Sequence, residues 1–490
     1  MKHTRRQFLQ LSAIAAAGVV LAACTPTAVP GTAVPKAGET KAAVTFKGKI
    51  EWWFADYAPS KDMVWSEDNP LPHNMAQVLA DEYHANHTEV QIEFVDLPSG
   101  TDFHQWNITG QVGGTVPHIT MEQRFNIDGD LDKDWWVPLD SYYAEPNPYA
   151  KAGQPGSAKW KDGFYEIHFE TQTSPNGKHY IVPFDLVTTF FFYNKDMFTK
   201  AGITAAPKTW GDFMAALKAL KKAGMIPYNG FVWSYMQIGD MLYAKKEPQV
   251  NPDGGVVTLQ EVACAIKKGI YRATDPEYAE WLKFLASVVP YFTPDWAAVG
   301  TDFAKKFNNQ ETAIHEDGTW RFAFLRANPL IKFEWSTFPI PVITAADSPF
   351  ATGRDAIPVG GSTMARPAVS TRAQKEGLLP LVIDVLRWYT VSENACRLVG
   401  EYGSMLPNIK GCDVNPDLVG PLKLITEGLG EAAMFTYADK FDAETRQKMD
   451  PIYADFKLGT ITLEEAQTRL DKLMSDYADA AIAKNKWTCA

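Results

Sequence analysis

The stretch Ile181-Val182-Pro183-Phe184-Asp185-Leu186-Val187-Thr188-Thr189-Phe190-Phe191-Phe192-Tyr193 is almost continuously apolar or aromatic, interrupted by Pro183 and Asp185. A strand covered on both faces reads this way, and a proline inside the run belongs at an edge or a crossing. The chain here is expected to pass between two cores and then enter a buried strand. The acid at the centre of the run needs a partner. Downstream, Pro207-Lys208-Thr209-Trp210 opens a helix: Thr209 caps it, Asp212 stands three residues on, and Phe213, Met214, Leu217 and Leu220 share one face until Gly224 stops it.

Working outward, Lys49 to Phe54 reads as a strand ending in a Trp-Trp-Phe cluster, and Asn74 to Asn86 as an amphipathic helix. Val90 to Val95 alternates like a strand, and Ile119 to Met121 is another, after Gly113-Gly114-Thr115-Val116-Pro117. Strand, helix and strand in succession predict an α/β layer architecture. Near the end, Thr462 with Glu465 opens a helix whose buried stripe is Ala466, Leu470, Leu473 and Tyr477. A chain of 490 residues is too long for one core, so two or more substructures are expected.

The first residues carry Lys2, Arg5 and Arg6 without an acid, followed by an apolar run from Leu11 to Ala23 too short to remain as a membrane span. Residues 1–23 therefore read as a signal peptide. Thr4-Arg5-Arg6-Gln7-Phe8-Leu9 resembles a twin-arginine export signal, and Leu21-Ala22-Ala23-Cys24 resembles a lipobox in which Cys24 is acylated. Diacylation supplies the two chains that stable anchoring needs. Residues 24–46, rich in Thr, Pro, Ala and Gly, read as a tether holding the body off the membrane.

The formal net charge is -11, and removal of the three leader cations makes the exported chain more acidic still. Phosphate binding needs clustered Lys and Arg, so nucleic acid is excluded as a partner, as is an anionic lipid surface. Aromatic residues are 12% of the chain, with 15 Trp, a surplus of flat apolar area that a ligand site would use. Besides Cys24, the cysteines are Cys264, Cys396, Cys412 and Cys489. They allow three pairings; Cys396 and Cys412 are close enough in sequence to join, while Cys264 sits in an apolar helical pattern and reads equally as a buried thiol.

Phe192-Tyr193-Asn194-Lys195-Asp196-Met197-Phe198, Ala201-Gly202-Ile203 and Pro207 to Phe213 together resemble extracellular solute-binding protein family 1, the carbohydrate receptors of ABC importers that include maltose-binding protein. Supporting pieces are Val116 to Ile119, Gly177 to Pro183, Phe303 to Asn308 leading to Gly318-Thr319-Trp320, and Val359 to Ser362. His118 stands where that family usually has Asp. The resemblance implies an α/β, two-lobed, periplasmic-binding-protein-like fold with hinge-linked lobes and a ligand cleft between them. Lobe 1 is expected over 47–186 and 340–371, and lobe 2 over 187–339 and 372–490.

A pyranose presents flat C–H faces and a rim of hydroxyls, so its site needs aromatic platforms and orienting polar groups. The resemblance places a stacking ring at Trp320 and aromatic contacts at Trp233 and Tyr235. It places polar contacts from the other lobe at Glu122 and Arg124, just past a strand end. Asp185, Trp53 and Asp56 are further candidates, with Phe435 and Tyr437 as a third wall. The plain alternatives are core rings and a hinge ion pair.

The implied protein is a monomeric, lipid-anchored receptor that binds a carbohydrate and delivers it to ABC permease subunits, with no catalytic residue, cofactor or metal. A secreted glycoside hydrolase would share the acidic, aromatic character, and needs two carboxyls about 5 to 10 Å apart across the scissile bond. No Gly-x-Ser-x-Gly elbow or His-Glu-x-x-His motif is present. A metal receptor is suggested by His84 and His87, three apart on an expected helix, and by the many Tyr, but a solvated helix face explains that spacing better. A non-sugar polyol is the remaining alternative ligand.

Overall fold

A computed structural model describes residues 46–98, 100–166, 169, 172–230, 234–252, 257–298, 302–353, 366–403, 405–418 and 441–489. The expected leader and tether lie outside them except Phe46, which already packs against the first core. So do Cys24, Trp233, Phe435, Tyr437 and the Val359 to Ser362 motif. No helix among the described residues is long and apolar enough to cross a membrane.

Among the described residues, ten strands make two sheets and a short ladder. They are β1 (Gly48–Trp52), β2 (Val90–Phe94), β3 (Ile119–Met121), β4 (Asp185–Leu186), β5 (Thr189–Asn194), β6 (Ile226–Tyr228), β7 (Thr312–Gly318), β8 (Trp335–Phe338), β9 (Pro367–Val369) and β10 (Leu406–Pro407). The first sheet has the order β2-β1-β3-β9. Its first three strands are parallel, with Ile50 opposite Ile92 and Trp52 opposite Ile119, and β9 runs antiparallel to β3. Parallel neighbours require a crossover, supplied by helix Met75–Asn86 between β1 and β2 and by helix Phe103–Gly113 between β2 and β3. Ile50 and Trp52, two apart on β1, point into the same core, as strand alternation demands.

The second sheet has the order β6-β7-β5-β8. The aromatic run becomes β5, a central strand antiparallel to both neighbours, with Phe192 opposite His315 on one side and Thr337 on the other. Phe191 faces the large second core with Phe213, Leu217, Leu220 and Tyr228. Phe190 and Phe192 face the opposite side and a smaller core with Phe307 and Phe322. Both faces of β5 are thus covered, which is why the sequence lacks alternation there. Helix Trp210–Lys222 begins in a capping box: the Asp212 amide donates to Thr209 Oγ1 at 3.2 Å, and the Thr209 amide donates to Asp212 Oδ2 at 3.1 Å.

Between the sheets, β4 pairs antiparallel with β10, so two chain crossings lie side by side. The structure redraws the expected lobe boundaries. Ala373, Leu381, Leu386, Tyr389, Leu398 and Tyr402 belong to the first core, so the chain after 372 returns to the first lobe before crossing again. The helical stripe after Thr462 is also rotated: Met474 is fully buried where Leu473 was expected, and Leu473 is only partly covered. Cys264 is not a free thiol; it pairs with Cys489, and Cys396 pairs with Cys412. The first bridge holds the chain end against helix Leu259–Lys267, and the second closes the turn after helix Ser392–Tyr402.

Replacing Thr209 by Ala removes the cap at the start of this helix. Urea denaturation is expected to show a loss of about 1 kcal/mol, within the usual range for such caps, with the transition slope unchanged.

Candidate functional site

At the carboxyl end of β1 the chain turns sharply. Ala55 has φ 49°, a left-handed conformation costly for a residue with a Cβ, and opens a 3-10 turn over Ala55–Tyr57. This turn sends neighbouring side chains to opposite tasks. Trp53 is buried to 7% exposure at the edge of the first lobe, its indole edge-on to Trp106 at 5.5 Å and tilted against Phe103 at 6.0 Å. Phe103 and Trp106 share one face of helix Phe103–Gly113, being three residues apart, and Asp102 caps that helix by accepting from the Gln105 amide. Trp53, Phe103, Met121, Asp56 and Asp96 line a cavity of about 620 Å³.

Asp56 is half-buried, and burial raises its carboxyl above the usual carboxylate range against the opposing pull of His73 and Arg366. Its neighbour Tyr57 points inward. The Tyr57 hydroxyl donates to Asp185 Oδ2 at 2.8 Å, and burial, then Asp185, pushes this phenol well above its ordinary value. Asp185 is fully buried on β4. The candidate acid of the crossing segment is therefore tied to the turn that carries Trp53 and Asp56.

Glu122 stands immediately past β3, yet it does not face open space. It is fully buried, and its two oxygens accept from His104 Nδ1 at 3.0 Å, Asn107 Nδ2 at 3.0 Å, the Gln123 amide at 2.8 Å and Asn126 Nδ2 at 2.7 Å. Four donors use the capacity of one carboxylate. His104 loses solvent on burial, which lowers its pKa, but the Glu122 hydrogen bond and charge outweigh this and leave it raised. Arg124 pairs with Asp128 one helical turn on, at 2.5 Å. Glu122 braces the lobe from within, whereas the charge of Arg124 is felt at Tyr477 of the second core.

On the second sheet, a hydrogen-bonded chain fixes the turn after β7. Asn229 Nδ2 donates to His315 Nδ1 at 2.8 Å, His315 Nε2 donates to Asp317 Oδ2 at 3.0 Å, and Arg321 Nε donates to the same oxygen at 2.5 Å. Burial lowers the His315 pKa, which matches the neutral ring this arrangement requires. Trp320 follows in the turn, half-buried, and packs against the core of the first sheet. A Cβ on Gly318 would sit 2.0 Å from the Trp320 ring, so only glycine lets the indole lie there. Glu316, one step back on β7, accepts from the Tyr228 hydroxyl and from both Ser234 N and Oγ, which fixes the start of helix Ser234–Tyr243. Tyr235 is half-buried against the second core, and its carbonyl accepts from Trp281 Nε1 at 2.7 Å.

Trp53, Asp56 and Asp185 are thus gathered around one turn, and Trp320 reaches the first core from the other side. Trp106, Phe103 and Met121 were not singled out from the sequence; the Phe-x-x-Trp spacing after Asp102 is the signal that points to the first two. His118, where Asp is usual in the resembled family, accepts from the Glu51 amide at Nδ1 and donates from Nε2 to Glu376, bracing the first sheet. His84 and His87 each turn Nδ1 to a backbone carbonyl, of Val90 and Tyr83 respectively.

The family model of bacterial extracellular solute-binding proteins matches residues 79–412, more than half the chain. Among solved structures, a chitin oligosaccharide binding protein superposes with TM-score 0.64 at 18% identity, over 88% of this chain and 99% of that one. The GacH receptor of Streptomyces glaucescens GLA.O gives 0.60 at 16% identity, over 88% and 100%. A cyclic alpha-maltosyl-1,6-maltose binding protein from Arthrobacter globiformis gives 0.57 at 16% identity, over 89% and 100%. No curated protein matches in sequence. At these identities the likeness carries the fold, which is that of the two-lobed binding proteins. The chain belongs to the bacterial extracellular solute-binding proteins, a family that works outside the cytoplasm.

Proposed function

We propose that this receptor captures an oligosaccharide between its lobes and passes it unaltered to the permease of an ABC importer. The observation that carries the reading is the cavity beside Trp53. It combines flat aromatic surface from Trp53 and Phe103 with the acceptor Asp56 at the end of a sheet strand. Indole faces match the C–H faces of a pyranose, and the carboxylate orients its hydroxyls. Three similar structures carry sugars in their descriptions: chitin oligosaccharide, acarbose and a cyclic maltosyl-maltose.

In this reading Trp53 and Asp56 form the first wall. Trp320 and Tyr235 belong to the second, and Asp185 ties the hinge to the first. Trp233 and Phe435 are assigned to the same cleft by the family resemblance alone. Glu122 holds the first wall in place without touching ligand, and Arg124 is assigned to the cleft as a polar contact by the family resemblance. The lobes close because the ligand binds the closed arrangement better, and no bond is made or broken. The receptor works as a monomer anchored through acyl chains on Cys24, on residues 24–46 as tether.

Titration calorimetry with a panel of gluco-, xylo- and N-acetylglucosamine oligosaccharides tests the reading. Replacement of Trp53 by Ala is expected to cost on the order of 2 kcal/mol or more in binding, as for a desolvated aromatic anchor; undiminished affinity removes Trp53 from the site. Glu122→Ala strands three side-chain donors and is expected to cost about 3–5 kcal/mol of stability, read as a lower denaturation midpoint. A variant that keeps its midpoint but loses sugar would instead make Glu122 a ligand contact. Cys24→Ser should move the protein from the membrane to the soluble fraction with its affinity unchanged, and retention in the membrane would contradict the anchor.

A further inference from the structure

Among the described residues, the last passage from the first lobe to the second begins inside a covalent ring. Helix Ser392–Tyr402 buries Ala395, Leu398, Val399 and Tyr402 in the first core. The chain then enters β10, with Leu406 in the smaller core of the second sheet and Ile409 back in the first core. Cys412 bonds to Cys396 at a sequence separation of 16, so the bridge closes a ring that contains the whole of β10. Shortly past the bridge, Leu418 is buried with Phe190 and Phe192 on the second sheet.

Within the ring, hydrogen bonds seat the chain on the first lobe. The Asn408 amide donates to the Phe184 carbonyl at 3.1 Å, the Lys410 amide to the Gly163 carbonyl at 2.8 Å, and Ser392 Oγ to the Lys410 carbonyl at 2.8 Å. Past Lys410 the support thins. Gly411 and Asp413 are exposed, and the chain is held to the helix by the bridge and by Asn415 Nδ2, which donates to the Gly403 carbonyl at 3.1 Å. Tyr402, at the end of that helix, meets Tyr57 at 5.2 Å and Phe324 of the second lobe at 6.4 Å. The bridge thus ties the start of the crossing to the helix that touches both lobes. Cys396 and Cys412 are only half-buried, so the bridge stands within reach of a thiol from solvent. The other bridge, Cys264–Cys489, joins the chain end to a helix packed wholly in the second core.

We infer that the Cys396–Cys412 bridge positions the last crossing for capture, and that opening it with an external dithiol weakens ligand retention. The inference rests on the capture reading above. A cross-link removes freedom from the chain it closes. Once the bridge is open, residues 411–416 gain that freedom, and they must be ordered again whenever the lobes close on ligand, which lowers affinity. The exchange is balanced: a thiolate of the dithiol attacks one sulfur, the protein S–S bond breaks, and the second thiolate then resolves the mixed disulfide. Two electrons pass to the protein, which is left with two thiols while the dithiol becomes a disulfide.

The test uses full-length protein carrying Cys264→Ser and Cys489→Ser, in which Cys396–Cys412 is the bridge left for dithiothreitol to open; alkylation and intact mass confirm its state. Titration calorimetry with gluco-, xylo- and N-acetylglucosamine oligosaccharides reads affinity, and amide hydrogen exchange reads residues 405–418. Oxidised, this protein is expected to match wild type within about twofold. Reduced, it is expected to bind roughly tenfold more weakly, the backbone freedom of one residue, and to recover on reoxidation with oxidised glutathione. Saccharide should slow exchange over 405–418 in the reduced form, whereas the oxidised form exchanges slowly there with or without it. Cys396→Ser with Cys412→Ser, in the presence of intact Cys264–Cys489, is expected to reproduce the reduced behaviour. Affinity that stays within twofold on reduction, even with a lower denaturation midpoint, overturns the inference and leaves capture intact, the bridge then serving stability alone. An equal loss of affinity from removing Cys264–Cys489 also overturns it. If the oxidised protein binds no member of the panel, the capture reading falls and the inference with it.

Discussion

A carboxylate buried where the chain crosses between two cores must find a donor, since an uncompensated buried charge costs several kcal/mol. Asp185 finds it in the Tyr57 hydroxyl at 2.8 Å. That bond joins the crossing segment to the turn after β1, the turn whose left-handed Ala55 separates Trp53 and Asp56, which line one cavity, from the fully buried Tyr57. Tyr57 in turn packs against Tyr402, at 5.2 Å, beside the last crossing at β10. The crossing segment and the candidate ligand wall are therefore one construction.

The two lobes differ in how they hold their candidate rings. In the first, Trp53 leans on Trp106 and Phe103, with the carboxylate of Glu122 pinning the loop beneath by four hydrogen bonds. In the second, the Asn229, His315, Asp317 and Arg321 chain fixes the turn that carries Trp320, and Gly318 supplies the space its ring occupies. Rings held by such supports lose little conformational entropy on binding, which favours affinity. Both supports are polar networks, and the carboxylate of the first has all its donors in place, so they specify geometry as well as stability.

Much of the fold was legible because local and long-range signals agreed. The Thr209 capping box, the strand at Ile119 to Met121 and the doubly covered β5 follow from spacing and composition alone. Lobe membership after residue 372 was not legible: helices Leu379–Tyr389 and Ser392–Tyr402 have apolar faces that suit either core, and only contact decides. The stripe at Leu473 was misplaced by one residue because a long helix buries a face broader than a strict heptad seam. At the site, residue type suggested Trp53, Asp56, Asp185 and Glu122 as ligand contacts; the structure brings Asp56 and, through Tyr57, Asp185 to one turn and buries Glu122 completely. An acid just past a strand end is as readily a brace as a contact, and its four donors come from residues up to 18 positions away.

Capture without chemistry is the central claim, and native mass spectrometry of the protein purified from its own cells, in buffer free of added sugar, tests it most directly. The account predicts a retained mass excess equal to a whole number of hexose, pentose or N-acetylhexosamine units, released intact when the protein is denatured. A retained species that is not a saccharide, or one that shortens while bound, would contradict it.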